Sequence, residues 1–130
     1  MIQKETLLNV IDNSGAKLAS CIHVCGGYRN RYAFSGSIVV VTIKCLRMRR
    51  LNKKSLMKVQ KSDVLKALVV RTKVKSFFSN VDSLCFFENS IVLLNNQYKM
   101  LGTRIFGAVP SALRYCKFAK IASLSSGFVD

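Results

Sequence analysis

Apolar residues along the chain occur in short blocks with the alternating spacing of β-strands, and Val and Ile are common within them. Clusters of Gly, Asn, Asp and Ser separate the blocks, as is typical of turns. Small helices are predicted at about 110–124, because Pro110 and Ser111 can open a helix. This pattern indicates one mainly-β domain over 1–130, a compact β-barrel. Its predicted strands are Leu7–Ile11, Lys17–Cys25, Ser37–Met48, Val64–Thr72, Leu84–Phe87 and Ile91–Leu94.

Composition excludes several classes of protein. Half of the 130 residues are hydrophobic, so the chain is not a disordered basic tail. No apolar stretch approaches the roughly 18–20 residues of a membrane span, and no secretory signal or presequence is visible, so no membrane partner is expected. Lys and Arg number 21 against six acidic residues, a formal charge of +15. Such a charge favours an anionic partner, and nucleic acid is the commonest one.

Catalytic and metal chemistry find little support in the sequence. Cys21, His23 and Cys25 have period-two spacing and would share one face of a strand, but a zinc site usually needs four ligands. His23 is the single histidine, the six acidic residues are scattered, and no phosphate-binding glycine loop or nucleophile motif occurs. We therefore expect no metal, no cofactor and no enzyme activity.

Five strings, taken in order, carry a resemblance to a known family. They are MIQKETLLNVIDNSGAK, CIHVCGG, SDVLKALVVRTK, IVLLNN and LGTRIFGAV. From Met1 to about Leu124 the chain resembles the bacterial-type large-subunit ribosomal protein L-fourteen family. The resemblance implies a small five-stranded β-barrel with a β-ribbon and short C-terminal helices.

The same resemblance implies a structural constituent of the large ribosomal subunit. It would bind large-subunit rRNA and contribute to an intersubunit bridge with small-subunit rRNA. It would also pack against ribosomal proteins three and nineteen, and a ribosome-silencing factor would dock on its C-terminal part. The main alternative is a free-standing β-barrel that binds single-stranded nucleic acid, which would place several aromatic residues on one face of adjacent strands.

Candidate RNA contacts are basic or lie in a tight turn. Asn13, Ser14 and Gly15 predict a polar turn whose backbone N–H groups can approach phosphate, although a purely structural turn is an equal alternative. Tyr28 and Tyr32 could stack on bases or pack in the core. The predicted RNA-binding residues are Asn13, Ser14, Gly15, Lys17, Arg29, Arg31, Lys44, Arg47, Arg49, Arg50, Lys53, Lys54, Arg71 and Lys73.

The C-terminal part carries the candidate protein contacts. By resemblance, Thr103 and Arg104 lie near the docking surface for the silencing factor or a bridge, with Lys120 on the adjoining helix. Ile105 and Phe106 are predicted to be packing anchors. The full predicted set of protein contacts is Thr103, Arg104, Arg114, Lys117 and Lys120.

Two segments depart from the family pattern. The segment at about 45–62 is longer and more basic than usual, which predicts an extended ribbon or loop that reaches into RNA. Asn80 and Val81 replace the usual Asp-Gly turn, and this predicts a remodelled hairpin around the phenylalanines at 77–87. The apolar composition and five cysteines suggest an organellar member in the mitochondrial ribosome of the matrix, with a plastid or bacterial cytoplasm as alternatives.

Overall fold

The computed structural model describes residues 1–48, 59–77 and 83–129. Five strands close into a barrel: β1 (Leu7–Val10), β2 (Ala16–Val24), β3 (Ile38–Leu46), β4 (Val64–Arg71) and β7 (Ser90–Leu94). Neighbouring strands are antiparallel except β1 and β7, which run parallel and close the barrel. The prediction of a mainly-β protein built on a five-stranded barrel is confirmed.

Alternation of side chains fills the barrel interior. Val39, Val41 and Ile43 of β3 point inward and are buried, whereas the residues between them face outward. Strand β7 differs because all of its residues are buried on both faces. Its second face packs into a separate apolar cluster formed with the C-terminal part of the chain.

The C-terminal part covers this outer face of the barrel. Strands β8 (Ile105–Pro110) and β9 (Ser125–Val129) form a parallel pair, joined by a 3-10 helix (Ser111–Tyr115) and the short helix α1 (Ala119–Ala122). The small helices were predicted, but β8 and β9 were not. Of the two predicted packing anchors, Ile105 is buried, whereas Phe106 is 41% exposed and does not belong to the apolar core.

In the described part of the region around the phenylalanines, two very short strands pair with each other. Strands β5 (Ser76–Phe77) and β6 (Ser83–Leu84) pair over two residues each, so the predicted strand Leu84–Phe87 is largely wrong. Phe87 is fully exposed. The predicted turn at Asn80 and Val81 lies outside the described residues. No helix in the described ranges is long and apolar enough to span a lipid bilayer.

Candidate nucleic-acid interface

The polar turn after β1 is organised by a buried carboxylate. Asp12 has no exposed surface, and its Oδ1 accepts hydrogen bonds from the backbone N–H (3.0 Å) and the hydroxyl of Ser14. Its Oδ2 accepts the backbone N–H of Leu93 in β7 at 2.9 Å. Ser14 is itself fully buried, so its side chain and N–H are engaged within the protein. This arrangement favours the structural interpretation of the turn at Ser14.

Asn13 connects this turn to the segment before β8. Its Nδ2 donates to Thr103 Oγ1 at 2.6 Å, and its Oδ1 accepts the Thr103 backbone N–H at 2.6 Å. Oδ1 also accepts the Arg104 N–H at 3.4 Å. A predicted RNA-binding residue and two predicted protein-contact residues therefore lie together, as one hydrogen-bonded unit on the surface.

Arg71 points toward the protein rather than toward solvent. Its side chain is 12% exposed, and Nε donates to the carbonyl of Ala108 at 2.7 Å. One terminal nitrogen donates to the Phe106 carbonyl, and the other forms an ion pair with Glu88 Oε1 at 3.0 Å. Arg71 thus ties the end of β4 to β8, and little of its planar fork is left for phosphate.

Glu88 is the partly exposed partner of this ion pair, with 40% of its side chain accessible. Burial alone would raise the pKa of its carboxyl, but hydrogen bonds from Ser90 and Asn9 and the charge of Arg71 outweigh burial. The pKa of Glu88 therefore lies below its usual value. The carboxylate stays ionised at neutral pH and holds the Arg71 guanidinium in place.

A basic surface covers the outside of the barrel where β2 meets the end of β3. Lys17 and Lys44 are exposed on these adjacent strands, and a register shift lies on each side of Leu18 in β2. Arg47 follows β3, where one of its terminal nitrogens donates to the Val10 carbonyl at 2.7 Å. Its guanidinium also lies 5.2 Å from the centre of the Phe106 ring. Arg49, Arg50, Lys53 and Lys54, which follow Arg47 in the sequence, lie outside the described residues.

Two further groups of cations lie at concave surfaces. Lys4, Arg29 and Arg31 line a cleft of about 490 Å³ beside Tyr32. Lys99, Lys117 and Lys120 line an apolar groove of about 590 Å³ that also includes Phe118 and Ile121. Arg114 does not line this groove, and its guanidinium lies 4.6 Å from the centre of the Phe128 ring.

These cations are largely free of acidic neighbours. Arg71–Glu88 is the one ion pair found in the described ranges. Lys17, Arg29, Arg31, Lys44 and Lys73 are all exposed. With few carboxylates to offset it, the positive charge remains available to an external anion.

The cysteine and histidine residues of β2 do not share a face, contrary to the prediction. A register shift between Cys21 and His23 interrupts the alternation, so Cys21 is buried and His23 is exposed. Burial and the nearby Cys25 thiol raise the pKa of Cys21. In the described part of the chain, no cluster of three His, Cys, Asp or Glu residues could hold a metal ion.

A family model decides between a ribosomal protein and a free-standing nucleic-acid-binding barrel. The model for ribosomal protein L14p/L23e matches residues 1–129. The chain belongs to this family. As a member of the L14p/L23e family it is a structural protein of the large ribosomal subunit and is located in a ribosome. The members of this family are structural proteins rather than enzymes. The free-standing nucleic-acid-binding barrel is set aside on this ground.

Several residues that shape this L14p/L23e surface were missed from the sequence. Asp12 was not singled out, because its partner Leu93 lies 81 positions away in the sequence. Glu88 was not singled out, although it was one of only six acidic residues in a very basic chain. That scarcity was the available signal, since a cation is seldom buried unless it is paired and this chain offers few acidic partners.

Proposed function

We propose that the chain binds large-subunit rRNA through its exposed cations and does so as a single domain. The observation that carries this proposal is the set of exposed basic residues without ion-pair partners in the described ranges, on a protein of net charge +15. Binding to phosphate releases counterions, and this release supplies much of the affinity of basic proteins for nucleic acid. Membership in the L14p/L23e family supports this proposal, because it implies that the chain is located in a ribosome.

The predicted RNA-binding residues divide into two roles in this proposal. Lys17, Arg29, Arg31, Lys44 and Lys73 are exposed and would contact phosphate directly. The others in the described ranges would shape or support the surface, since Ser14 and Arg71 are engaged within the protein and Asn13 and Arg47 hold neighbouring segments. Gly15 is buried and its carbonyl accepts the Arg47 N–H at 2.8 Å.

The C-terminal surface is proposed to contact other parts of the ribosome. Thr103 and Arg104, held by Asn13, lie just before β8, and Lys117 and Lys120 border the apolar groove. Apolar area ringed by cations suits a protein partner. We assign this surface and Arg114 to neighbouring proteins such as ribosomal proteins three and nineteen, to a ribosome-silencing factor, and to small-subunit rRNA at an intersubunit bridge.

We also propose that the chain works in a mitochondrial ribosome. All five cysteines are free thiols, and three of them are exposed. Exposed free thiols fit a reducing compartment such as the matrix. Together with the apolar composition, they favour an organellar member of the family.

The salt dependence of RNA binding tests the proposed function. The double variant Lys17→Ala/Lys44→Ala should lower the log–log slope of affinity against salt by about 1.4–1.8, because each phosphate contact contributes about 0.7–0.9. The measurement is filter binding or fluorescence anisotropy with large-subunit rRNA over a series of salt concentrations.

The matched control removes the same charge elsewhere. Lys99→Ala/Lys117→Ala changes residues at the apolar groove and should leave the slope close to that of the unmodified protein. If both double variants flatten the slope equally, the binding is non-specific. If neither does, or if the protein does not bind RNA at low salt, the proposal is wrong.

A further inference from the structure

A cleft on the barrel surface is lined by three cationic side chains and by aromatic rings. It has a volume of about 490 Å³ and is formed by the N-terminal segment, the end of β2 and the loop that follows. Lys4, Arg29 and Arg31 contribute the charge, and Tyr32 and His23 contribute rings. The residues that line it in the described part of the chain include no carboxylate. Its volume lies within the about 300–1,000 Å³ typical of small-molecule sites.

The walls of this cleft are fixed by backbone hydrogen bonds. Ile2 and Ala33 exchange N–H···O bonds of 2.9 and 2.8 Å, which join the N-terminal segment to the residue after Tyr32. On the other side, Glu5 donates its N–H to the Cys21 carbonyl at 2.7 Å, and Cys21 donates to Thr6 at 3.0 Å. The N-terminal wall is therefore attached to both β2 and the loop.

The loop itself has a backbone shape that depends on glycine. Gly26 and Gly27 have φ of +133° and +128°, and Arg29 also has a positive φ, of +63°. A Cβ atom on Gly26 would lie 2.8 Å from Asn30 Nδ2. This conformation keeps Arg29 and Arg31 exposed at the cleft, and it places the guanidinium of Arg29 5.2 Å from the ring centre of Tyr28, which is 92% exposed.

Cations and an accessible aromatic ring in one small concave site match the chemistry of a nucleoside 5′-phosphate. Arginine donates two parallel hydrogen bonds to a phosphate, and an aromatic ring stacks on a base. RNA offers such a group wherever a base is unpaired and can leave the helix. A duplex groove would not place a single base in a cleft of this size.

We propose that this cleft holds one unpaired nucleotide of the bound RNA, with its phosphate on Lys4, Arg29 and Arg31 and its base against Tyr32. The inference rests on the proposed RNA binding and deepens it. It assigns to these residues the recognition of a distorted point in the RNA, whereas Lys17 and Lys44 contact the backbone of any sequence.

The test uses the full-length protein and two RNA hairpins that differ by one unpaired, bulged nucleotide. At one fixed salt concentration the bulged hairpin should bind about tenfold more tightly, as expected for one stacked base. Tyr32→Leu should abolish this preference, and Tyr32→Phe should keep it because the ring remains. Tyr115→Leu, which alters an exposed ring on the 3-10 helix, should also keep it.

A second variant tests the cleft without changing Tyr32, so that a disturbed fold at Tyr32 cannot explain the result. Arg31→Ala keeps the ring and should weaken the bulged hairpin more than the plain one. Amide resonances of Gly26, Gly27 and Tyr32 should shift in NMR spectra when the bulged hairpin is added.

The outcomes separate the two proposals. If both hairpins bind equally, with a steep salt dependence, the cleft assignment is overturned and rRNA binding stands. If neither hairpin nor rRNA binds, both proposals are overturned. If adenosine 5′-monophosphate alone binds as tightly as the bulged hairpin, the ligand is a free nucleotide and the assignment to RNA is wrong.

Discussion

Replacing Asp12 by alanine should lower the free energy of unfolding by about 3–5 kcal/mol. The carboxylate is completely buried and accepts hydrogen bonds from Ser14 and from the backbone of Leu93. Its removal leaves buried N–H groups of the turn and of β7 without acceptors, and each such group costs about 1–3 kcal/mol. Urea unfolding of the RNA-free protein measures this loss as a lower midpoint with an unchanged slope.

Asp63→Ala is the matched control for this substitution. Asp63 is only partly buried, and its Oδ2 accepts one backbone N–H, that of Gln60 at 2.8 Å. Its loss should cost about 1 kcal/mol or less. An Asp12→Ala protein as stable as the Asp63→Ala protein would show that Asp12 does not organise the turn.

Replacing Arg71 by methionine should cost about 2–4 kcal/mol and loosen β8 from the barrel. The substitution removes the donors to the Ala108 and Phe106 carbonyls and leaves Glu88 without its cation. The effect should depend on pH, because the pKa of Glu88 lies below its usual value in the folded protein. Because the pKa of Glu88 is lower in the folded than in the unfolded protein, its ionised carboxylate stabilises the fold fully at pH values above the unfolded-state pKa. This stabilisation is lost as the pH falls through the folded-state pKa. The difference in the free energy of unfolding between the unmodified protein and Arg71→Met should therefore become smaller below about pH 4.

Lys73→Met is the matched control that shows whether Arg71 has a structural role or contacts RNA. Lys73 is exposed close to Arg71 in sequence, and its substitution removes the same charge. It should change stability by less than about 0.5 kcal/mol, yet lower the salt slope of RNA binding by about 0.7–0.9. Arg71→Met should do the opposite. An Arg71→Met protein with normal stability and a reduced salt slope of RNA binding would show that Arg71 contacts phosphate after all.

The barrel could be predicted from the sequence because its strands carry local signals. Inward residues of β3 alternate with outward ones, and turn residues separate β1 from β2. Strands β8 and β9 carry no such signal, since Ile105–Pro110 contains Gly107 and ends in a proline, and Ser125–Val129 is rich in small residues. Their pairing depends on the apolar outer face of β7, which lies elsewhere in the chain.

The candidate site was predictable as a class of residues but not in its detail. An excess of cations indicated an anionic partner, yet nothing near Arg71 in sequence showed that it would turn toward Ala108 and Phe106. The register shift between Cys21 and His23 was equally invisible, because a bulge is set by pairing with β3. Such long-range partners decide which cations remain exposed to an external anion.

Co-sedimentation with ribosomal subunits tests the central claim most directly. Tagged protein expressed in cells should migrate with the large subunit through a sucrose gradient at low salt and be released as the salt concentration rises, because phosphate contacts weaken with salt. Migration with the small subunit alone, or in the free fractions at low salt, would contradict assignment to the large subunit.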